Sequence, residues 1–174
     1  MRNLKRMGAT LMALALVLGM KLTAFAAVED TGFSDVSADA WYADAVAYVR
    51  DNGLMSGTSV AAFDPDGTMT RAMLAQTLYR AAGSPAVSGS DSFTDTAEGA
   101  WYADAVLWAS RQGVISGYGS GLFGTDDPVT REQIAAILWR YAGSPAAEAG
   151  TDFADETDIS AYAAQAVDWA RANG

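Results

Sequence analysis

The feature that most constrains this chain is a repeat of 60 residues. Residues 33–85 and 93–145 align without a gap, and 23 of the 53 positions are identical. Both copies open Phe-x-Asp, carry Trp-Tyr-Ala-Asp-Ala-Val from Trp41 and Trp101, and close Ala-Gly-Ser-Pro at Pro85 and Pro145. A fixed period means one supersecondary unit used several times. A unit this small buries little surface alone, so its neighbours must complete its core. Phe153 opens a third copy that reaches Gly174 with only the first helix of the unit. The expected organisation is one repeat over residues 28–86, a second over 92–146, and a partial third over 152–174.

Residues 1–26 read differently. Arg2, Lys5 and Arg6 precede an uncharged apolar run from Met7 to Met20, and Ala24-Phe25-Ala26 supplies small residues for cleavage. This predicts a secretory signal peptide cut after Ala26. The apolar run is shorter than the roughly 20 residues that span a bilayer. All 21 acidic residues follow Ala26, against seven Arg and no Lys, so the remaining chain carries a net charge of −14. Such a body repels a phosphate backbone, which excludes nucleic acid as a partner. An anionic ligand must be held by individual Arg groups against that background. The chain has no Cys and no His. It therefore has no disulfide, no thiolate metal site, and none of the commonest general base. No cofactor, no metal and no membrane contact after cleavage are expected.

Within each repeat the pattern predicts helix, loop, helix. In the first helix of repeat one, Trp41, Ala45, Tyr48 and Val49 form an apolar stripe; Trp101, Ala105, Trp108 and Ala109 do so in repeat two. Ser37 or Asp39 is the candidate cap. Gly53 and Gly113, each followed by an apolar residue, suit a Schellman stop. Irregular loops rich in Gly, Asp and Pro follow, with at most a short β-bridge. The second helices start at Thr70 and Thr130, and Thr130 with Gln133 matches a capping box. Leu74, Leu78 and Ala82 face inward, as do Ile134, Leu138 and Tyr141 or Ala142. Gly83-Ser84-Pro85 and Gly143-Ser144-Pro145 stop these helices, and residues 86–92 and 146–152 read as flexible linkers. A last helix is expected over residues 160–173, with Tyr162 and Trp169 on apolar faces that lack a partner.

The pattern resembles the S-layer homology family. The residues that carry the likeness are Phe33-Ser34-Asp35, Trp41, Gly53, Ser56-Gly57, Phe63 and Thr70-Arg71, repeated as Phe93-Thr94-Asp95, Trp101, Gly113, Ser116-Gly117, Phe123 and Thr130-Arg131. The resemblance implies a mainly α fold, with tandem helix-loop-helix repeats packed as an incomplete pseudo-threefold bundle. It also implies a non-catalytic module that holds an exported protein at the cell wall or cell surface, in an S-layer setting. The implied partner is a cell-wall secondary polysaccharide, often one bearing pyruvate ketals. Two departures stand out. The family's Thr-Arg-Ala-Glu appears as Thr70-Arg71-Ala72-Met73 and Thr130-Arg131-Glu132-Gln133, and the third repeat lacks its Thr-Arg segment.

The candidate site residues follow from that match and from physical reasoning. Arg71 and Arg131 lie in the first turn of a helix, where a cation is mildly unfavourable, by about 0.3–1 kcal/mol. Helix stability does not explain that placement. An Arg beside free helix-start amides, with Thr70 or Thr130 at the cap, makes an anion site suited to a carboxylate. The alternative is an inter-repeat ion pair with Asp35, Asp95 or Asp155. Arg80 and Arg140 sit in the last turn, where a cation is favoured structurally. Trp41 and Trp101 are expected to bury most of each ring, leaving one edge to stack on a sugar. Gly57 and Gly117 are expected to supply a positive φ and a close approach of backbone to ligand. Three other readings remain open: a structural surface-layer or spacer protein, a wall-polysaccharide hydrolase using Asp64/Asp66 or Asp126-Asp127, and a calcium module at Asp64-Pro65-Asp66-Gly67. The incomplete third repeat also offers a surface for self-association.

Overall fold

The computed structural model describes residues 31–148, 150 and 153–173. The leader expected over residues 1–26 lies outside them. The architecture is mainly α, with five α-helices among the described residues: α1 (Ala43–Asp51), α2 (Arg71–Ala81), α3 (Ala103–Arg111), α4 (Arg131–Tyr141) and α5 (Ala164–Ala172). A short 3₁₀ turn (Glu156–Asp158) precedes α5. Repeat one holds α1 and α2, repeat two holds α3 and α4, and α5 belongs to the third copy. No helix among the described residues is long and apolar enough to cross a membrane.

The helix stops follow the sequence. The Gly53 amide donates to Arg50 O (2.9 Å) and Leu54 to Val49 O (2.8 Å), with Gly53 at φ +66°. These are the two bonds of a Schellman stop, and the left-handed residue carries no Cβ penalty because it is Gly. Repeat two forms the same pair, Gly113 to Ser110 O and Val114 to Ala109 O. The second helices start as expected. Thr70 Oγ1 accepts from Met73 N, and Thr130 with Gln133 completes the reciprocal box.

The starts of the first helices differ from expectation. α1 and α3 begin at Ala43 and Ala103 with no side-chain cap. Ser37 Oγ instead accepts from Asp39 N in the turn before α1. Trp41 and Trp101 therefore sit in a turn ahead of the helix, off the helical stripe. They are 93% and 60% exposed, not core. Each ring meets its neighbouring tyrosine edge-on, Tyr42 at 5.4 Å and Tyr102 at 5.2 Å between centroids. The buried face of α1 is Ala43 and Val46. α5, the helix of the third copy, starts at Ala164, later than expected, so Tyr162 is exposed as well, whereas Trp169 is buried. Ala82 is exposed rather than inward-facing.

Packing couples one repeat to the next. α2 packs on α3, and α4 packs on α5. The main core joins Leu74, Leu78 and Tyr79 of α2 to Ala105, Val106 and Trp108 of α3, with Ile115, Phe123 and Ile137 from the rest of repeat two. A second cluster joins Ala135 and Ala136 of α4 to Ala166 of α5. α1 forms a separate cluster with Phe33, Val36 and Phe63 of its own repeat. The linker after α2 is pinned rather than loose. Tyr79 Oη donates to Pro85 O (3.0 Å), Arg111 Nη1 donates to Ser88 O (2.8 Å), and Val87 packs on the core. After α4, Trp139 Nε1 donates to Pro145 O (2.8 Å), the same clamp from a different ring.

Each loop is held by the Asp of the Phe-x-Asp opening. Asp35 accepts from the amides of Phe63 (2.9 Å) and Asp64 (2.7 Å), and Asp95 from Phe123 (2.7 Å) and Gly124 (2.6 Å). The paired Phe rings close over the same span, Phe33 on Phe63 and Phe93 on Phe123. Those amide donors hold the Asp35 carboxyl below its ordinary value. Burial pushes Asp95 up, but its amide donors outweigh it and the carboxyl also settles low.

Because Phe123 is fully buried, Asp95→Ala leaves its amide without an acceptor. The expected cost is about 1–3 kcal/mol in a denaturant melt, with a smaller loss for Asp35→Ala in its more open loop. A carboxyl with a depressed folded pKa stabilises fully above its unfolded value and loses that contribution as pH falls through the folded one. The gap between wild type and Asp95→Ala should therefore narrow below about pH 4. A gap that stays constant in acid would remove the carboxylate from this role.

Candidate functional site

The two Thr-Arg copies have different surroundings. The α2 start is sewn into the loop of repeat two. Arg71 N donates to Asp127 O (3.0 Å), Ala72 N to Thr125 O (3.1 Å) and Val129 N to Met69 O (3.0 Å), around a β-bridge between Thr70 and Pro128. The Arg71 side chain follows its backbone inward and is only 5% exposed. Nε donates to Phe123 O (2.8 Å) and Nη2 to Ser116 O (2.7 Å). The guanidinium lies 4.5 Å from the centre of the Tyr118 ring and 5.2 Å from that of Phe123. A planar cation between aromatic faces and carbonyls is well satisfied there.

This corrects the physical picture of Arg71. The helix-start amides are not free, because loop carbonyls already accept from them. Neither expected partner is present: no ion pair joins Arg71 or Arg131 to an Asp among the described residues. Asp35 and Asp95 are committed to loop amides. Arg71 is a plug that joins repeats, and it did not show itself in the sequence because its acceptors are backbone oxygens, which every residue has.

Arg131 is exposed at the start of α4 and makes no side-chain hydrogen bond among the described residues. The next residue does the joining instead. Glu132 accepts from Ser160 N (2.9 Å), Ser160 Oγ (3.0 Å) and Tyr162 Oη (3.0 Å). Donation from the Ser160 amide, with the two hydroxyls, holds the Glu132 carboxyl below its ordinary value.

A groove of about 570 Å³ lies along repeat one and is met by Trp101 of repeat two. Its lining comes from the loop of repeat one, with Gly57, Thr58 and Phe63, from α2, with Met73, Gln76 and Arg80, and from Trp101 of repeat two. Arg80 Nη1 donates to Leu54 O at 3.3 Å. With its amide turned to satisfy both neighbours, Gln76 donates to Trp101 O (3.0 Å) and accepts from Arg80 Nε (3.1 Å). Gln76 thus ties the cation to the backbone that carries the indole. The groove brings together an indole, apolar side chains, the Arg80 cation and the Asp64 carboxylate, a combination suited to a polar ligand with a ring face, such as a sugar.

Of the expected site residues, Gly57 and Trp101 line this groove, and Arg71, Arg131, Trp41, Thr70, Thr130 and Gly117 do not. Arg80, read from sequence as a structural last-turn cation, does line it. Gly57 has φ +75°, whereas Gly117 does not share a positive φ. What both need is room. A Cβ on Gly57 would lie 2.5 Å from Ala62 O and 2.7 Å from the Phe33 ring. On Gly117 it would lie 2.5 Å from both Leu122 O and the Phe93 ring. The close approach is made by the chain's own phenylalanine. Among the described residues no group of His, Cys, Asp or Glu is arranged to hold a metal ion.

The two arginines give opposite expectations. Arg71→Ala strips donors from two inward carbonyls and should cost about 2–3 kcal/mol in a thermal or denaturant melt. Arg71→Lys should recover little, since an ammonium cannot reproduce the fork or the stacking. Arg131→Ala should stay within about 0.5 kcal/mol of wild type. Equal melts for the two Ala variants would remove the plug from this account.

Residues 32–73 and 92–135 each match the model of the S-layer homology domain. The chain is similar to an amylopullulanase of Thermoanaerobacterium thermosulfurigenes, 31% identical over 67% of this chain and 6% of that protein. It is similar to the surface-layer 125 kDa protein of Lysinibacillus sphaericus, 33% identical over 64% of this chain and 10% of that protein. It also resembles the S-layer protein sap of Bacillus anthracis, 31% identical over 77% of this chain and 16% of that protein. The matched region is thus a small part of each of these relatives. Two family-model matches, falling on the two copies of the internal repeat, place this chain in the S-layer homology domain family.

Proposed function

We propose that the chain is a non-catalytic module that holds an exported protein on a bacterial cell-wall glycopolymer, and that an acidic sugar of that polymer sits in the groove between repeats one and two. The observation that carries this reading is the union of Arg80, Trp101 and Gly57 on one groove of about 570 Å³. In the groove Trp101 offers a face for the C–H side of a sugar ring, and Arg80 offers the fork for a carboxylate such as that of a pyruvate ketal. The net charge of −14 on the chain after Ala26 makes each cation selective. A polyanion finds no general attraction and must meet Arg80 in register. The similar proteins include two surface-layer proteins and an amylopullulanase, each much longer than the matched region. A shared small part across such different proteins fits attachment better than catalysis.

Arg131 supports a second contact of the same kind. It is exposed at a helix start, beside the amide donors of α4.

The test is retention on sacculi from the producing bacterium, with and without chemical removal of the secondary polysaccharide. Trp101→Ala and Arg80→Ala are each expected to weaken binding about tenfold or more, the equivalent of roughly 1.4 kcal/mol, with the helical CD spectrum unchanged. Arg131→Ala should weaken it less. Undiminished binding by the Arg80 and Trp101 variants would move the site elsewhere, and binding that survives removal of the polysaccharide would favour the structural surface-layer reading.

A further inference from the structure

The groove carries a second chemical signature that polymer binding does not require. Met55, Met69 and Met73 all line it, and they are the only methionines among the described residues. The 60-residue repeat makes a comparison within the chain. The corresponding positions of repeat two hold Ile115, Val129 and Gln133. The fold therefore accepts residues without sulfur at all three places, and packing alone does not demand a thioether at any of them. Repeat one has three, on one groove. Met73 is 36% exposed, and Met55 and Met69 are partly exposed at the groove wall.

A thioether differs from Ile or Val in one reaction. A peroxide transfers an oxygen atom to sulfur, the O–O bond breaks, an S=O bond forms, and water leaves. Sulfur loses two electrons and the peroxide gains them. The product is polar and chiral where the reactant was flexible and apolar. In the groove that Trp101 also lines, that change replaces apolar side chains with strong acceptors, which also repel the carboxylate that Arg80 is poised to hold.

We propose that Met55, Met69 and Met73 form an oxidation site through which peroxide lowers the affinity of the groove for its ligand. The consequence for binding rests on the groove being the polymer site; the modification itself does not.

The secreted chain is treated with hydrogen peroxide, and its peptides are mapped by mass before and after. Each of the three methionines should gain one oxygen atom, Met73 first, while the helical CD spectrum is retained. Retention on the bacterium's own sacculi should fall about tenfold and recover on treatment with methionine sulfoxide reductase. A Met55→Leu, Met69→Leu, Met73→Leu variant keeps an apolar floor without sulfur, and its retention should not respond to peroxide. If Met55 and Met69 resist peroxide in the folded chain, the site as proposed is lost. So it is if the fully oxidised chain binds as before, or if the leucine variant loses retention equally. A chain that fails to bind before any treatment counts against the groove as the polymer site, while the peptide map still decides whether the three sulfurs react together.

Discussion

Loop backbone that neither helix nor sheet can satisfy is the constraint on which this structure depends. Each of the two full repeats carries a long irregular connection from its first helix to its second, and the polar groups of that connection need partners once packed inward. Amides are supplied with an acceptor from the start of the same repeat, by Asp35 and by Asp95. Carbonyls of the second loop are supplied with donors from the previous repeat, by the side chain and backbone of Arg71. The loop of repeat two is therefore complete only when repeat one is folded beside it. The repeats cohere through unmet backbone valence as much as through apolar area.

The local grammar of the fold was open to reading. Glycine stops at Gly53 and Gly113, threonine caps at Thr70 and Thr130, and the inward Leu74 and Leu78 of α2 follow from rules acting within a turn or two of chain, whereas α4 buries Ala135, Ala136 and Ile137 and leaves the expected Ile134, Leu138 and Tyr141 partly buried. What escaped were residues whose roles lie across the repeat boundary. Trp41 and Trp101 fit the helical stripe arithmetically, but each helix begins two residues later, and a turn has no helical phase. Arg71 and Arg131 occupy equal places in sequence and unequal places in space, since the plug needs a following loop to enter and only Arg71 enters one among the described residues. Arg80 looked like an ordinary last-turn cation because its neighbours, Gln76 and the carbonyl of Leu54, come together only when the groove forms.

The two copies, which share 23 of 53 positions, also show which features of the unit can differ. Tyr79 and Trp139 clamp a proline carbonyl six residues on, one with a hydroxyl and the other with an indole N–H. The donor is retained and the ring is not. At the repeat boundary the change is larger: where Ala72 lies buried against the next loop, Glu132 reaches out to Ser160 and Tyr162. The same junction is made once by backbone and a guanidinium, and once by a carboxylate.

The clasp between Arg71 and the second loop has a mechanical meaning. It joins Arg71 to Phe123, 52 positions on, and to Ser116, 45 positions on, through one side-chain bond each, beside three backbone bonds between the start of α2 and the second loop. When the ends of the chain are drawn apart, as drag on a tethered cargo would do, force enters the clasp before it reaches the helices between. Those helices stay slack while the parallel bonds share the load.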